Sequence, residues 1–384
     1  MTVRLMRALD RFAGIPLCWL LGIWRLIFQR RRYAVADANV KQILVIKFFG
    51  MGSIILLTPA LREIHKRFPN AAITFISFNA QKELLKRLPF IDSIIAISTA
   101  TLDDFIRGTI VALRECKNKK FDVVFDFEFF SKFSTLLSAL TSAPQRFAFA
   151  LPTQWRKFHV THPMPLNKLH HVAEAFLSQV TSDTLKKTSI ALSSPEILES
   201  DEISLEYTIK THFGIDIKNK TLICINVNAG NTFLERRWDA DKFAELLSIA
   251  YDETALYFFT GSNDEFDYVE SIVTSINKNS VLNVAGKLTF GELLALLRRA
   301  TLLLTNDSGP LHIASALGTR TISLFGPETP EFYGPIGGRN RVIYKNISCS
   351  PCMNIYDAKT FVCPYNARCM KEISVEEVQN TMSY

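Results

Sequence analysis

Short apolar segments alternate with amphipathic segments along this chain, and the alternation limits what the chain can fold into. Brief apolar runs are typical of strands buried on both faces, and the segments between them have helical periodicity. In the first half, the predicted strands are 43–48, 72–78, 93–97 and 122–127, and the predicted helices are 54–67, 81–88 and 102–116. This order predicts a doubly wound parallel sheet.

A second alternating set follows a looser stretch near 183–215, where Ser, Thr and acidic residues dominate. Its predicted strands are 222–227, 255–260, 282–284, 302–305 and 321–324, and its predicted helices are 241–250, 264–276, 290–298 and 309–317. We therefore predict an α/β protein of two Rossmann-like domains that face a central cleft, with ligands bound outside the carboxyl ends of the strands. The predicted divisions are a leader (1–40), an N-terminal domain (41–185), an inter-domain region (186–215), a C-terminal domain (216–345) and a cysteine-containing tail and helix (346–384).

The net charge of +7 is concentrated in the leader. Residues 1–32 hold seven arginines and a single acid, Asp10, so the rest of the chain is nearly neutral. A nucleic-acid-binding protein spreads its basic residues over a folded face, and this distribution argues against that class. The apolar run Phe12–Trp24 is shorter than the ~20 residues of a membrane span, and Arg25 ends it. We expect an amphipathic helix in an anionic membrane surface; a true span and a core or partner helix stay open.

The segment Thr305–His312 joins a predicted strand to a predicted helix. Asp307 or Ser308 can cap this helix, and Pro310 suits its first turn. The unpaired N–H groups at such a helix start attract anions such as pyrophosphate. The alternative is a helix start that is merely capped.

Two further loops follow strands of the second set. Asn228-Ala229-Gly230 offers small residues with Arg236 close behind, which suits phosphate oxygens because Arg binds them bidentately. Glu265 follows the next strand and can accept hydrogen bonds from ribose hydroxyls. A solvated surface arginine and a helix cap are the respective alternatives.

Four cysteines cluster near the end of the chain, whereas the other three are scattered, as reduced core thiols usually are. The clustered residues are Cys349, Cys352, Cys363 and Cys369. Structural zinc, disulfides and free thiols all stay open for them, since the second pair lacks the short spacing of a zinc knuckle.

The chain combines several motifs that belong together: Ile43–Leu61 (ILVIKFFGMGSIILLTPAL), Arg236-Arg237-Trp238, Gly261 with Glu265, Ala285–Thr289 (AGKLT), Asn306–Leu317 (NDSGPLHIASAL), Leu324–Pro327 (LFGP) and the terminal cysteines with Met370. This combination resembles glycosyltransferase family 9, the ADP-heptose:lipopolysaccharide heptosyltransferases, over residues 41–380. The stretch from Asp307 to Pro327 is the most specific part, whereas the Gly-rich turn alone is a weak signal.

The resemblance implies a GT-B fold, with a nucleotide-sugar donor on the C-terminal domain and a lipid-linked saccharide acceptor on the N-terminal domain. Arg236 resembles the family's phosphate-binding cation, and Glu265 its ribose-binding carboxylate. Transferases of this type need no metal, so no cofactor is implied beyond the donor substrate. The implied donor-binding residues are Asn228, Gly230, Arg236, Glu265, Lys287, Asp307, Ser308, Gly309 and His312.

One position departs from the family pattern. The acceptor-side turn Gly50-Met51-Gly52-Ser53 has Ser53 where heptosyltransferases have the Asp that resembles their catalytic base. A serine hydroxyl is not a base near neutral pH. Three interpretations stay open: Glu128 supplies the base, Ser53 orients an acceptor that needs little base assistance, or the protein binds donor without transferring.

The expected function is therefore that of a bacterial inverting glycosyltransferase. It would move heptose, or a related sugar, from a nucleoside diphosphate donor, ADP-heptose foremost, to a lipid-linked saccharide such as the lipopolysaccharide core. The expected location is cytoplasmic, peripherally associated with the inner membrane surface, with no nucleic-acid partner. The alternative is a catalytically silent family member that binds nucleotide sugar or scaffolds envelope assembly.

Overall fold

A computed structural model gives the architecture. It describes residues 6, 10, 12–28, 36–129, 131–150, 155–181, 190–230, 233–353 and 362–382, and the side chains of these except 24–28, 155 and 157. The described chain divides into two compact units between Ile190 and Ala191, inside the predicted inter-domain region 186–215. Six of the seven leader arginines, at positions 4, 7, 11 and 30–32, lie outside the described residues.

The first unit contains a six-stranded sheet in the order β3-β2-β1-β4-β5-β6. Every strand pair in it is parallel, and the order is that of the Rossmann fold. A parallel sheet buries both faces, which explains the continuous apolar runs. The strands are β1 (Gln42–Ile46), β2 (Ala72–Phe78), β3 (Ser93–Ile97), β4 (Val123–Asp126), β5 (Gln145–Phe149) and β6 (His162–Met164).

Six α-helices of this unit have bounds within the described residues, and side-chain caps begin several of them. Thr101 accepts a hydrogen bond from the Asp104 N–H, and Ser131 accepts one from the Ser134 N–H, each closing the first turn of a helix. The helices are α1 (Gly14–Phe28), α2 (Met51–Arg67), α3 (Lys82–Leu85), α4 (Leu102–Lys119), α5 (Lys132–Leu140) and α6 (Val172–Ser178).

The leader helix α1 packs on the first unit. A Cβ added at Gly14 would lie 2.6 Å from Cβ of Lys132, and Cys18 is buried. Asp10 accepts the backbone N–H of Phe133 at 2.8 Å, which stabilises the start of α5. Across the parts of the chain that the structure describes, no helix combines the length and the apolar character needed to cross a membrane. Attachment of α1 to a membrane surface stays a prediction.

The second unit repeats the same topology. Its six-stranded sheet has the order β12-β11-β10-β7-β8-β9, again with every pair parallel, which is the Rossmann order read from the other edge. The strands are β7 (Thr221–Asn226), β8 (Ala255–Phe259), β9 (Val281–Asn283), β10 (Leu302–Asn306), β11 (Thr321–Phe325) and β12 (Asn340–Tyr344). The helices are α7 (Glu199–Phe213), α8 (Ala240–Ile249), α9 (Phe266–Ile276), α10 (Phe290–Arg299), α11 (Gly309–Leu317), α12 (Pro330–Tyr333), α13 (Arg368–Lys371) and α14 (Val375–Met382).

The predicted pair of Rossmann-like domains is thus confirmed. The predicted strands 72–78 and 93–97 and the predicted helix 309–317 have the bounds found in the structure. Three strands, β5, β6 and β12, and the helices α5, α7 and α12 were not predicted. Helix α7 falls inside the stretch predicted as an inter-domain region, and it packs against α10 within the second unit.

The tail cysteines are free thiols, as are the other three. Burial, and after it the neighbouring thiols, raise the pKa of Cys352 and of Cys369 to about 11, so both stay protonated at neutral pH. Within the described ranges, no group of three or more His, Cys, Asp or Glu residues is arranged to hold a metal ion.

Glu292 links α7 to α10, which makes it a test of how the second unit is held together. Its Oε1 accepts from the hydroxyls of Ser204 at 2.6 Å and Thr208 at 2.7 Å, and its Oε2 accepts from the Thr289 N–H at 2.6 Å. Burial would raise the pKa of Glu292, but these hydrogen bonds outweigh it and hold the pKa below its ordinary value. A carboxylate with a lowered pKa stabilises the fold above its unfolded pKa and loses that contribution as the pH falls.

We expect Glu292→Gln to lower the free energy of unfolding by about 1–3 kcal/mol at neutral pH, because a neutral amide with one oxygen replaces a charged carboxylate that accepts hydrogen bonds through both of its oxygens. Urea denaturation at several pH values measures this. The difference from wild type should shrink as the pH falls through the lowered pKa. Glu372→Gln, in an exposed pair with Arg368, is the control and should change little. A pH-independent difference would contradict the role of the ionised carboxylate.

Candidate active site

The predicted donor-binding residues gather at one edge of the second unit's sheet. In a parallel sheet all carboxyl ends lie at the same edge, and the order of this sheet reverses between β7 and β10. Loops after these two strands, and after β8 and β9, contain the predicted residues. They are Asn228, Gly230 and Arg236 after β7, Glu265 after β8, Lys287 after β9, and Asp307, Ser308, Gly309 and His312 after β10.

Two buried asparagines, which sequence reasoning missed, connect the loops after β7 and β10. Asn226 donates to the hydroxyls of Ser308 at 2.9 Å and Thr305 at 3.1 Å. Asn306 accepts the Trp238 N–H at 3.1 Å and donates to a carbonyl after β7. Each asparagine is the last residue of its strand, so a polar residue that closes an apolar run was the available signal.

The start of α11 is open to an anion. Ser308 is the N-cap residue, yet its hydroxyl makes no capping hydrogen bond, because it is engaged by Asn226 and Thr305. Pro310 lies in the first turn, and the N–H groups of that turn have no side-chain cap among the described residues. His312 lies one turn further on and is buried. Backbone donors and the helix dipole together favour a negatively charged group here.

Arg236 lies beside this helix start. Its Nη1 is 3.2 Å from Oδ2 of Asp307, and its Nη2 donates to the Ala229 carbonyl at 2.5 Å. The Arg236 side chain is 19% exposed and that of Asp307 10%, so solvent screens this ion pair only partly. The guanidinium is thus fixed beside Asp307, two residues before the first residue of α11.

Glu265 ends the loop after β8. Its Oε2 accepts from the Ser262 N–H at 2.9 Å and from the Ser262 hydroxyl at 3.0 Å, which forms a capping box. Its Oε1 lies 3.7 Å from Arg237, whose guanidinium is 4.4 Å from the ring centre of Tyr268. Glu265 therefore does act as a helix cap through Oε2, and in the described part of the chain Oε1 has Arg237 as its one charged neighbour.

The loops after β8 and β9 approach each other closely. Gly286 has φ = +69°, and a Cβ there would lie 2.8 Å from Cα of Asn263, so only glycine fits. At Gly261 an added Cβ would lie 2.8 Å from the Asn228 amide nitrogen. The Lys287 ammonium donates to the Asn283 carbonyl at 2.9 Å, which directs this cation toward the backbone.

In the first unit, the corresponding reversal of strand order lies between β1 and β4. Glu128 follows β4, and its Oε1 accepts from the N–H groups of Phe48 at 2.5 Å and Phe49 at 3.0 Å after β1. The Lys47 ammonium lies 3.1 Å from the same oxygen, and both side chains are buried. Among the described residues, Oε2 has no hydrogen-bond partner. Glu128 therefore fixes the chain just before the predicted acceptor-side turn.

A second buried ion pair, between Arg156 and Asp126, binds the backbone of Glu128. Arg156 is fully buried, pairs with Asp126 and donates to the Glu128 carbonyl at 2.8 Å. Asp126 also accepts the Glu128 N–H at 3.0 Å. Removing one partner of such a pair leaves an uncompensated buried charge, so this network holds the loop after β4 in one conformation.

The predicted acceptor-side turn begins α2. Gly50 is the N-cap residue with φ = +85°, a backbone conformation that favours glycine. Gly52 is buried, and Ser53 is half-buried in the first turn of the helix. A Cβ added at Gly50 would lie 3.4 Å from the Ser53 hydroxyl oxygen. The turn is compact, and the structure brings Glu128 to the residues directly before it.

Sequence comparison connects both units to known enzymes. The profile of glycosyltransferase family 9 (heptosyltransferase) matches residues 112–361. Lipopolysaccharide heptosyltransferase 3 of Escherichia coli is 26% identical over 294 residues, which cover 74% of this chain and 83% of the relative. The lipopolysaccharide core heptosyltransferase OpsX of Haemophilus influenzae is 23% identical over 313 residues, covering 79% of this chain and 84% of the relative.

Structural comparison agrees. A family 9 glycosyl transferase from Veillonella parvula superposes with a TM-score of 0.73 and 26% identity, covering 91% of this chain and 98% of that one. E. coli ADP-heptose lps heptosyltransferase II gives a TM-score of 0.69 at 19% identity, covering 89% and 97%, which is a likeness of fold. Since the family profile matches more than half of the chain, this protein belongs to glycosyltransferase family 9 and is a glycosyltransferase.

Proposed function

We propose that this enzyme transfers heptose, or a related sugar, from a nucleoside diphosphate to a lipid-linked saccharide such as the lipopolysaccharide core. The observation that carries the proposal is the pairing of an uncapped helix start with a fixed arginine at the strand-order reversal of the second sheet. The relatives named lipopolysaccharide heptosyltransferases support the sugar and the acceptor class.

The diphosphate of the donor is proposed to bind the first-turn N–H groups of α11 together with Arg236. Backbone donors and a guanidinium supply charge-assisted hydrogen bonds that strengthen as the leaving diphosphate gains negative charge. Asn228, Gly230 and Lys287 surround the same edge of the sheet. Asp307 holds the arginine until the donor arrives, and Ser308 and Gly309 provide the backbone that the donor approaches.

Adenosine is the proposed nucleoside. E. coli heptosyltransferase WaaC has been solved with ADP and with ADP-2-deoxy-2-fluoro heptose, and its fold resembles this one with TM-scores of 0.65 and 0.61. Glu265 follows β8, the strand next to β7, and is the proposed partner of the ribose hydroxyls through Oε1. No metal is needed in this proposal, because the cation and the helix start neutralise the diphosphate.

The acceptor is proposed to bind the first unit at the turn Gly50–Ser53. Its hydroxyl oxygen attacks the anomeric carbon, the bond from that carbon to the diphosphate oxygen breaks, and the hydroxyl proton moves to a base. Glu128 is the proposed base through Oε2, the oxygen that the described residues leave without a partner. Ser53 is proposed to orient the hydroxyl. A lipid-linked acceptor and a dissolved donor meet at the cytoplasmic face of the inner membrane, which is the proposed location.

Arg236→Ala tests the donor site. We expect ADP to bind at least tenfold more weakly, since hydrogen bonds to a charged group contribute about 1.5–3 kcal/mol. Isothermal titration calorimetry with ADP measures the affinity, and a thermal-shift panel of ADP-, UDP-, GDP- and CMP-sugars measures the preference. Arg341→Ala, an exposed arginine of the same unit, is the matched control and should bind ADP normally. Unchanged ADP affinity in Arg236→Ala, or selective stabilisation by a CMP-sugar, would refute the donor assignment.

Glu128→Gln tests the base. The amide oxygen can still accept from Phe48, Phe49 and Lys47, so the turn should keep its conformation while the proton acceptor is lost. We expect transfer to fall at least 100-fold, with ADP affinity and melting temperature near those of wild type. Single-turnover assays with ADP-heptose and a heptose-acceptor saccharide measure this.

Near-normal turnover in Glu128→Gln would place the base elsewhere. A role of Glu128 in positioning alone predicts that Glu128→Gln remains active while Glu128→Ala fails. Donor binding by the wild-type protein without transfer to any saccharide acceptor would favour the catalytically silent alternative, for which the Ser53 substitution is the motivation.

A further inference from the structure

The leader helix α1 exposes a row of large apolar side chains. Trp19 is 62% exposed, Leu20 64% and Ile23 52%, and Ile15 is exposed as well. The spacings Ile15–Trp19, Trp19–Ile23 and Leu20–Ile23 place these side chains along one side of the helix. We call Ile15, Trp19, Leu20 and Ile23 the outer face of α1; Phe12, two residues before the helix, is 75% exposed. An exposed apolar surface of this kind marks an interaction site.

The opposite side of α1 is made of small residues that pack against the first unit. Gly14, Cys18 and Gly22 recur every fourth residue and so share a face. A Cβ added at Gly14 would lie 2.6 Å from Cβ of Lys132, one added at Gly22 would lie 3.6 Å from Cε1 of His159, and Cys18 is buried. This close packing fixes which side of α1 points away from the first unit.

Asp10 attaches the leader to the first unit just ahead of the helix. Its carboxylate accepts the backbone N–H groups of Lys132 at 3.3 Å and Phe133 at 2.8 Å, and it lies 3.5 Å from the Lys132 ammonium. Asp10 is the only acid in residues 1–32, and it is used in this contact. The seven arginines of residues 1–32 therefore have no acidic neighbour within the leader sequence to balance them.

We propose that the outer face of α1 inserts into the surface of an anionic lipid bilayer and holds the first unit there in a defined orientation. The apolar row supplies the buried area, and the arginines supply attraction to anionic headgroups. A 15-residue helix is ~22 Å long, less than the ~30 Å hydrocarbon core, which suits a position in the interface. The inference rests on the proposed function only in that a lipid-linked acceptor brings the enzyme to a bilayer.

Charge distinguishes the outer face from another exposed apolar row on the first unit. Leu102, Ile106 and Ile110 are exposed along α4, but Asp103 and Asp104 lie in its first turn. Carboxylates at that end repel anionic headgroups. Along its whole length α4 carries four basic residues against three acidic ones, a net charge of +1, whereas residues 1–32 carry seven arginines against one acid.

The test uses the full-length protein and vesicles without any saccharide acceptor. Wild type should float with vesicles of phosphatidylcholine and phosphatidylglycerol, and bind vesicles of phosphatidylcholine alone much more weakly. The double variant Trp19→Glu with Leu20→Glu should bind the anionic vesicles at least tenfold more weakly, because each apolar side chain contributes about 1.5–3 kcal/mol on burial. Trp19 and Leu20 are exposed, so the melting temperature should not change.

The matched control places the same charges on another helix. Ile203 and Tyr207 are 63% and 71% exposed on α7 in the second unit, and Ile203→Glu with Tyr207→Glu should bind vesicles as wild type does. Equal binding by the Trp19/Leu20 variant, or equal binding of wild type to both kinds of vesicle, would overturn the inference. The inference would also be overturned if the wild-type protein formed a dimer in solution and did not bind vesicles, while the Trp19/Leu20 variant was a monomer.

Failure here is separable from failure of the proposed function. ADP affinity and transfer to a soluble saccharide acceptor do not require vesicles. An enzyme that binds ADP and transfers sugar but ignores anionic vesicles would refute only the role of the outer face. A protein that binds the vesicles but transfers nothing would refute only the proposed transferase reaction.

Discussion

The reversal of strand order in each parallel sheet is the constraint on which the rest of the structure depends. In the first unit the chain leaves β1 toward one edge of the sheet and returns to add β4 on the other side of β1; β7 and β10 are related in the same way in the second unit. The loops after the two central strands therefore run in opposite directions and leave a crevice between them. Both units fill that position with polar groups. Glu128 connects β4 to the residues after β1, and Asn226 connects β7 to Ser308 at the N-cap position of α11. The same topology thus creates one polar centre in each half of the glycosyltransferase.

Much of this architecture could be predicted from the sequence, because buried parallel strands are mostly apolar. Ala72–Phe78, in which only Thr74 and Ser77 are polar, is an example, and its predicted bounds equal those in the structure. Helix α7 could not be predicted in this way. Only two of its apolar side chains, Leu205 and Ile209, are buried. Several of its contacts with α10 are polar: Ser204 and Thr208 donate to Glu292, and Glu206 pairs with Arg299. A helix with two buried apolar residues has only a weak apolar period.

The candidate site likewise has parts that could be predicted from the sequence and parts that could not. The helix start at Ser308 could be predicted, since strand end, cap and proline lie within a few residues of each other. The partners of Glu128 could not, because Phe48 and Phe49 lie 80 and 79 residues away in sequence and donate through their backbones. Likewise, nothing in the sequence indicates that Asp307 and Arg236, 71 residues apart, form an ion pair. Motifs whose residues are adjacent in sequence can be predicted from the sequence alone, whereas contacts between distant loops can be predicted only once the strand order is known.

The small-residue side of α1 has a consequence for the handling of this protein. A shortened chain that begins at residue 33 would remove an awkward apolar helix, which makes it an attractive choice for crystallisation. It would also uncover the surface that Gly14 and Cys18 occupy and deprive the Lys132 and Phe133 N–H groups of the Asp10 carboxylate. The truncated first unit would then present newly exposed apolar surface, and the start of α5 would keep only its Ser131 cap, so its tendency to aggregate would rise. Keeping the leader and purifying the protein in detergent is therefore expected to give a less aggregated sample than truncation.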